Sequence, residues 1–164
     1  YPKGYTLNLR IAYLYYLDKK YANAANYYNQ AIKIAPNALD AKLGQLLLLI
    51  AQQQYSKCSD LAYQVVKVDY YNYYGNLRLA YCLRGQQKYD IALQITLKML
   101  GIYPLDISLL NEYALTQFFL TEYTSAQQTF NSVLTLAPEN VTAKEYLAAI
   151  TSKVTPQQKH AEKP

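Results

Sequence analysis

An internal period of 34 residues runs through this chain. Tyr21, Tyr55, Tyr89 and Tyr123 lie 34 apart, as do Ala12, Leu46, Ala80 and Ala114. Further sets keep the same register: Ala24, Cys58, Ala92 and Ala126; Ala31, Val65, Met99 and Val133; Ile34, Val68, Ile102 and Leu136; and Pro36, Tyr70, Pro104 and Pro138. A fixed period of this length marks a stack of similar units, each of which cannot bury its apolar face alone. Within a unit, apolar residues recur at steps of three and four, which predicts two helices of about 14 residues each. Ala12 with Ala24, and Ala80 with Ala92, supply small side chains where the two helix backbones approach closely. In the second unit Leu46 is expected opposite the small Cys58. The prolines end the second helices by removing a backbone donor. Tyr70 lacks that effect, so a looser boundary or a longer helix is expected there.

These residues resemble the tetratricopeptide repeat family over nearly the whole chain. In the first unit the family pattern is carried by Ala12, Tyr15, Tyr21, Ala24, Tyr28, Ala31 and Pro36. Two departures stand out. The family's early Trp is replaced by Asn8, Lys42, Asn76 and Leu110, and its inter-helix Gly by Lys19, Gln53, Gln87 and Thr121. The resemblance implies an all-α, right-handed α-solenoid of four helix-turn-helix repeats, at residues 5–38, 39–72, 73–106 and 107–140. Residues 1–4 align with the end of a preceding repeat, because Pro2 lies 34 residues before Pro36. Residues 141–154 continue the first-helix pattern as a solvating, capping helix, and the polar segment 155–164 is expected to be disordered.

Composition narrows the function. The charge is +5 overall but uneven: residues 1–38 carry five basic and one acidic side chain, and 107–140 carry three acidic and none basic. The longest apolar run, Leu46 to Ala51, is far short of the roughly 18 residues that cross a bilayer. No membrane insertion is expected, and the compartment, cytoplasmic or periplasmic, stays open. Cys58 and Cys82 have neither metal-ligand nor redox spacing, and two buried free thiols are expected. The single histidine, His160, lies in the polar tail, and there is no Gly-rich phosphate loop. Catalytic residues, metal ligands and cofactors are therefore all expected to be absent.

The resemblance further implies that first helices line a concave groove, the usual ligand surface of such arrays. Spacing selects Leu9, Tyr13 and Tyr16 in the first repeat and Leu43, Leu47 and Ile50 in the second. The third offers Tyr74, Leu77, Arg78, Tyr81 and Arg84, and the fourth Asn111, Leu115 and Phe118. Tyr15, Tyr21, Tyr28, Tyr55, Tyr89 and Tyr123 are assigned to packing. An apolar stripe left in water is unfavourable, so an apolar helix or peptide of another protein is the expected partner. Some members grip a C-terminal carboxylate with Lys and Asn; here the matching positions hold Leu9, Tyr13, Gly44, Tyr74 and Arg78, and only Arg78 fits.

The expected function is a protein-protein interaction scaffold or adaptor of bacterial style. Three alternatives belong to other classes. The basic first repeat could dock on the acidic fourth of a second copy, giving a head-to-tail homo-oligomer. A type III secretion chaperone would shield apolar segments with the same architecture. A single-stranded nucleic acid would suit the tyrosines, yet the acidic fourth repeat opposes it, so no nucleic acid is expected.

Overall fold

The computed structural model describes residues 3–161, with side chains through residue 153. The described residues form nine α-helices and no strand: α1 (Tyr5–Leu17), α2 (Tyr21–Ile34), α3 (Leu39–Ala51), α4 (Tyr55–Val68), α5 (Tyr73–Gly85), α6 (Tyr89–Leu100), α7 (Ile107–Phe119), α8 (Tyr123–Leu136) and α9 (Val141–Ala161). Two helices fall in each 34-residue span, as the periodicity requires.

The turns inside the hairpins share one backbone solution. Lys19, Gln53, Gln87 and Thr121 all have positive φ, between 55° and 63°. Each occupies the left-handed position where the family carries Gly. In the first turn the Lys20 amide donates to the Tyr15 carbonyl at 2.9 Å and the Lys19 amide to Tyr16 at 3.0 Å. Gln54 to Leu49 and Glu122 to Gln117 repeat the bond that spans five residues. This is the helix-ending pattern that satisfies the last carbonyls, and it forms here without glycine.

Ends and starts are also set locally. The second boundary is neither looser nor longer than the first: with Tyr70 in place of proline, α4 still stops at Val68, the position of Ile34 in α2. The helix that differs is α6, which stops two residues early at Leu100, before Gly101 and Pro104. Asn72, Asp106 and Asn140 accept hydrogen bonds from the amides of Gly75, Leu109 and Ala143 at 2.8–2.9 Å, capping α5, α7 and α9. The last helix continues to Ala161, past the boundary at residue 154 expected from the sequence. Of the expected tail, residues 162–164 lie outside the described residues, as do Tyr1 and Pro2 of the expected preceding repeat.

The chain divides into two compact units, residues 1–86 and 87–164. In the first, α1 packs on α2, α2 on α3, α3 on α4 and α4 on α5, while α1, α3 and α5 adjoin in series. Ala12 and Ala24 are fully buried in a cluster with Tyr5, Tyr28, Ala31, Ala41 and Leu48. Cys58 and Cys82 are not free thiols. They form a disulfide between α4 and α5, with Cα atoms 6.0 Å apart, inside the range that a bridge spans. Cys58 thus serves the contact with the next repeat. In the second unit α6, α7, α8 and α9 pack in sequence, and Ala114, Ala126, Phe130, Val133, Ala143 and Ile150 form its core.

Candidate functional site

In the first unit, α1, α3 and α5 line an open pocket of about 340 Å3. Leu9, Arg10 and Tyr13 come from α1; Asp40, Leu43, Gly44 and Leu47 from α3; Tyr74 and Arg78 from α5; and Tyr28 reaches in from α2. Helical spacing explains the placement, since Leu9 and Tyr13, Leu43 and Leu47, and Tyr74 and Arg78 are each four residues apart and share a face. Most of the wall is carbon.

Tyr28 forms part of the floor because Gly44 lets it in. A β-carbon on Gly44 would overlap the Tyr28 ring at Cε1. The ring is 1% exposed, and burial pushes its phenol up to about 12, with Arg78 pulling the other way.

Arg78 supplies the charge. Its Nη1 donates to the Leu43 carbonyl at 2.7 Å, and its guanidinium carbon lies 4.9 Å from the centroid of the Tyr74 ring. Burial lowers its pKa, while the Tyr74, Tyr16 and Tyr28 hydroxyls raise it. Arginine stays protonated under such shifts, so the pocket carries a half-buried cation against apolar walls. Such a site can take an apolar side chain and, beside it, a carboxylate or carbonyl oxygen.

Six of the residues selected from the sequence therefore line one pocket: Leu9, Tyr13, Leu43, Leu47, Tyr74 and Arg78. Others lie in the same unit but outside it. Tyr16 stacks beside Tyr13 with ring centroids 6.1 Å apart, and Ile50 and Leu77 are half-buried. Arg84 sits 4.9 Å over Tyr81, itself near Tyr55. Sequence reasoning missed Arg10, Asp40, Gly44 and Tyr28. Gly44 carried a signal, since a glycine within an otherwise strong helix marks a close approach.

In the second unit two of the three selected residues are engaged internally. Leu115 and Phe118 pack on the core, and Phe118 meets Tyr146 of α9 edge-on at 4.8 Å, with Lys153 over its ring at 5.4 Å. Asn111 Oδ1 is buried and accepts no hydrogen bond from the protein. Among the described residues no helix is long and apolar enough to cross a membrane, and no cluster of three His, Cys, Asp or Glu could hold a metal ion.

The tetratricopeptide repeat family model matches residues 5–38. No curated protein matches the chain by sequence. Among solved structures, MamA from residue 41 onward, of Desulfovibrio magneticus RS-1, is similar with a TM-score of 0.84 at 14% identity, over 98% of this chain and 91% of that one. The tetratricopeptide protein TTC0263 of Thermus thermophilus follows at 0.77 and 17%, over 92% and 82%. The tetratricopeptide domain of Sgt2 from Aspergillus fumigatus gives 0.68 and 17%, over 76% and 84%.

Proposed function

Starting from a chain whose residues 5–38 are a tetratricopeptide repeat and whose fold is that of tetratricopeptide repeat proteins, we propose that it is a protein-binding scaffold that holds an apolar helix or peptide in the pocket of its first unit. The observation that carries this reading is the meeting of Leu9, Tyr13, Leu43, Leu47 and Tyr74 around the Arg78 cation in one open pocket. Apolar surface removed from water contributes roughly 25 cal/mol per Å2, and the tyrosines add contact area with little lost rotamer freedom. One leucine- or phenylalanine-sized anchor fills the carbon-lined part. Arg78, with one donor already on Leu43, turns its remaining donors to an acidic side chain or carbonyl of the ligand.

Selection from a random peptide display library tests this. Peptides enriched on the native chain are expected to carry apolar anchors and to be lost on a Leu47→Glu, Tyr74→Glu variant that circular dichroism shows to be folded. Equal retention by both proteins would place the binding surface elsewhere.

A further inference from the structure

The pocket of the first unit holds a cation and a phenol that the rest of the fold leaves without an anion. Arg78 is half-buried; its Nη1 donates to the Leu43 carbonyl at 2.7 Å, and the Tyr74 ring covers the guanidinium, 4.9 Å from centroid to carbon. Its other N–H donors meet no acceptor among the described residues. Burial lowers its pKa, and the groups that oppose this are the phenols of Tyr74, Tyr16 and Tyr28. No carboxylate of the described residues lies within ion-pair distance of it. A cation taken out of water is unfavourable until an anion meets it.

The second group comes from α2. Tyr28 is buried, and the end of its ring, Cε1, Cζ and the hydroxyl, lies over Gly44 in the pocket wall. The hydroxyl makes no hydrogen bond with the described residues, whereas a buried hydroxyl ordinarily has one. Burial raises its pKa and Arg78 lowers it, so the two groups are within electrostatic reach of each other. At the rim Arg10 and Asp40 are both exposed. The lining thus sets two cations, Arg10 and Arg78, against the single carboxylate of Asp40, a surplus of one positive charge.

We propose that this pocket is a receptor for an apolar carboxylate: one carboxylate group on a short aliphatic or aromatic body, its oxygens accepting from the Arg78 guanidinium and the Tyr28 hydroxyl and its body lying against Leu9, Leu43 and Leu47. The inference rests on the pocket of the peptide reading and fixes what its occupant carries, whether the acid is free or is a glutamate of a peptide. A planar carboxylate matches the guanidinium fork. A dianionic phosphate exceeds the surplus charge and is opposed by Asp40. A neutral apolar group leaves both donors unmet. Tyr28 is not among the positions that match the family's grip on a terminal carboxylate; it reaches the pocket from a second helix because residue 44 is glycine.

NMR titration of the full chain with hydrocinnamate, an aromatic carboxylate, and with hydrocinnamide, its uncharged amide, tests this. Saturable binding of the acid, about tenfold or more tighter than the amide, is expected. Arg78→Gln should remove that preference, and Tyr28→Phe should reduce it about fivefold. Tyr28→Phe keeps the ring over Gly44 and loses the hydroxyl alone, and circular dichroism checks both folds. A blocked peptide with one glutamate among leucines, and its glutamine counterpart, form a second pair that tells a peptide ligand from a free acid. A preference for the acid in either pair, diminished in both variants, supports the proposal. Equal binding of acid and neutral partner in both pairs, no binding in either, or a preference unchanged in either variant overturns it. The peptide reading fails separately: apolar peptides without an acidic residue, enriched on the native chain and lost on Leu47→Glu, Tyr74→Glu, would uphold that reading and overturn this proposal.

Discussion

The phenol ring of Tyr28, on α2, occupies the space that a β-carbon of Gly44, on α3, would need. This one contact joins the first repeat to the second and shapes the pocket floor. Gly44→Ala should therefore destabilise the protein by about 1–3 kcal/mol through overpacking, although alanine is the better helix former by about 1 kcal/mol. Urea unfolding measures it. Smaller rings at position 28 should restore part of the loss, and a stabilised Gly44→Ala variant would mean that the ring has free space to move.

Tyr28 also sets a pH dependence. Its pKa in the fold is raised to about 12, against 10.0 for an ordinary tyrosine. The neutral phenol is the favoured form, so its contribution is complete below pH 10. Between pH 10 and about 12 the unfolded chain ionises there while the folded chain does not, and stability falls by roughly 2–3 kcal/mol. Unfolding midpoints at pH 9, 10 and 11 should decline more steeply for the native chain than for Tyr28→Phe. Parallel slopes would assign the decline to other groups.

The Cys58–Cys82 bridge closes a loop with a sequence separation of 24, which corresponds to about 3 kcal/mol of stabilisation through the unfolded chain. Both residues are fully buried, so a reductant acts only when α4 and α5 part. Adding reductant during unfolding is expected to lower the midpoint to that of the Cys58→Ala, Cys82→Ala variant. An unchanged midpoint would show that the two sulfurs are not joined in solution.

Four left-handed residues without glycine are a reservoir of stability. The left-handed conformation costs a side-chain-bearing residue roughly 1–2 kcal/mol, part of which glycine returns as unfolded-state entropy. Thr121→Gly should gain the most, because threonine is β-branched, with Gln53→Gly smaller but of the same sign. Thermal unfolding reads the difference, and a lower midpoint for Thr121→Gly would contradict the strain.

Much of the fold was legible because it follows from local pattern. Helix starts at Tyr21, Tyr55, Tyr89 and Tyr123 are read directly from the 34-residue spacing, as is the close approach of Ala12 and Ala24. Tyr70 shows why a single punctuation mark misleads: α4 stops at Val68 without a proline, with Asn72 capping the next helix. The pocket was legible only in part. Spacing finds Leu43 and Leu47 on one face, yet Tyr28 shares its repeat position with the buried Ala62, Thr96 and Phe130, so it reads as packing, and only the glycine opposite brings it to the floor.

The all-helical class, the helix positions and the stripes of first-helix residues follow from local pattern, because each depends on side chains within a few turns of one another. Only folding showed that Cys58 meets Cys82, that Phe118 is taken up by Tyr146, and that Tyr28 reaches the pocket over Gly44. Those outcomes depend on which helix packs against which face. Identical positions in a repeat read the same in sequence and differ only in the neighbour that folding brings to them.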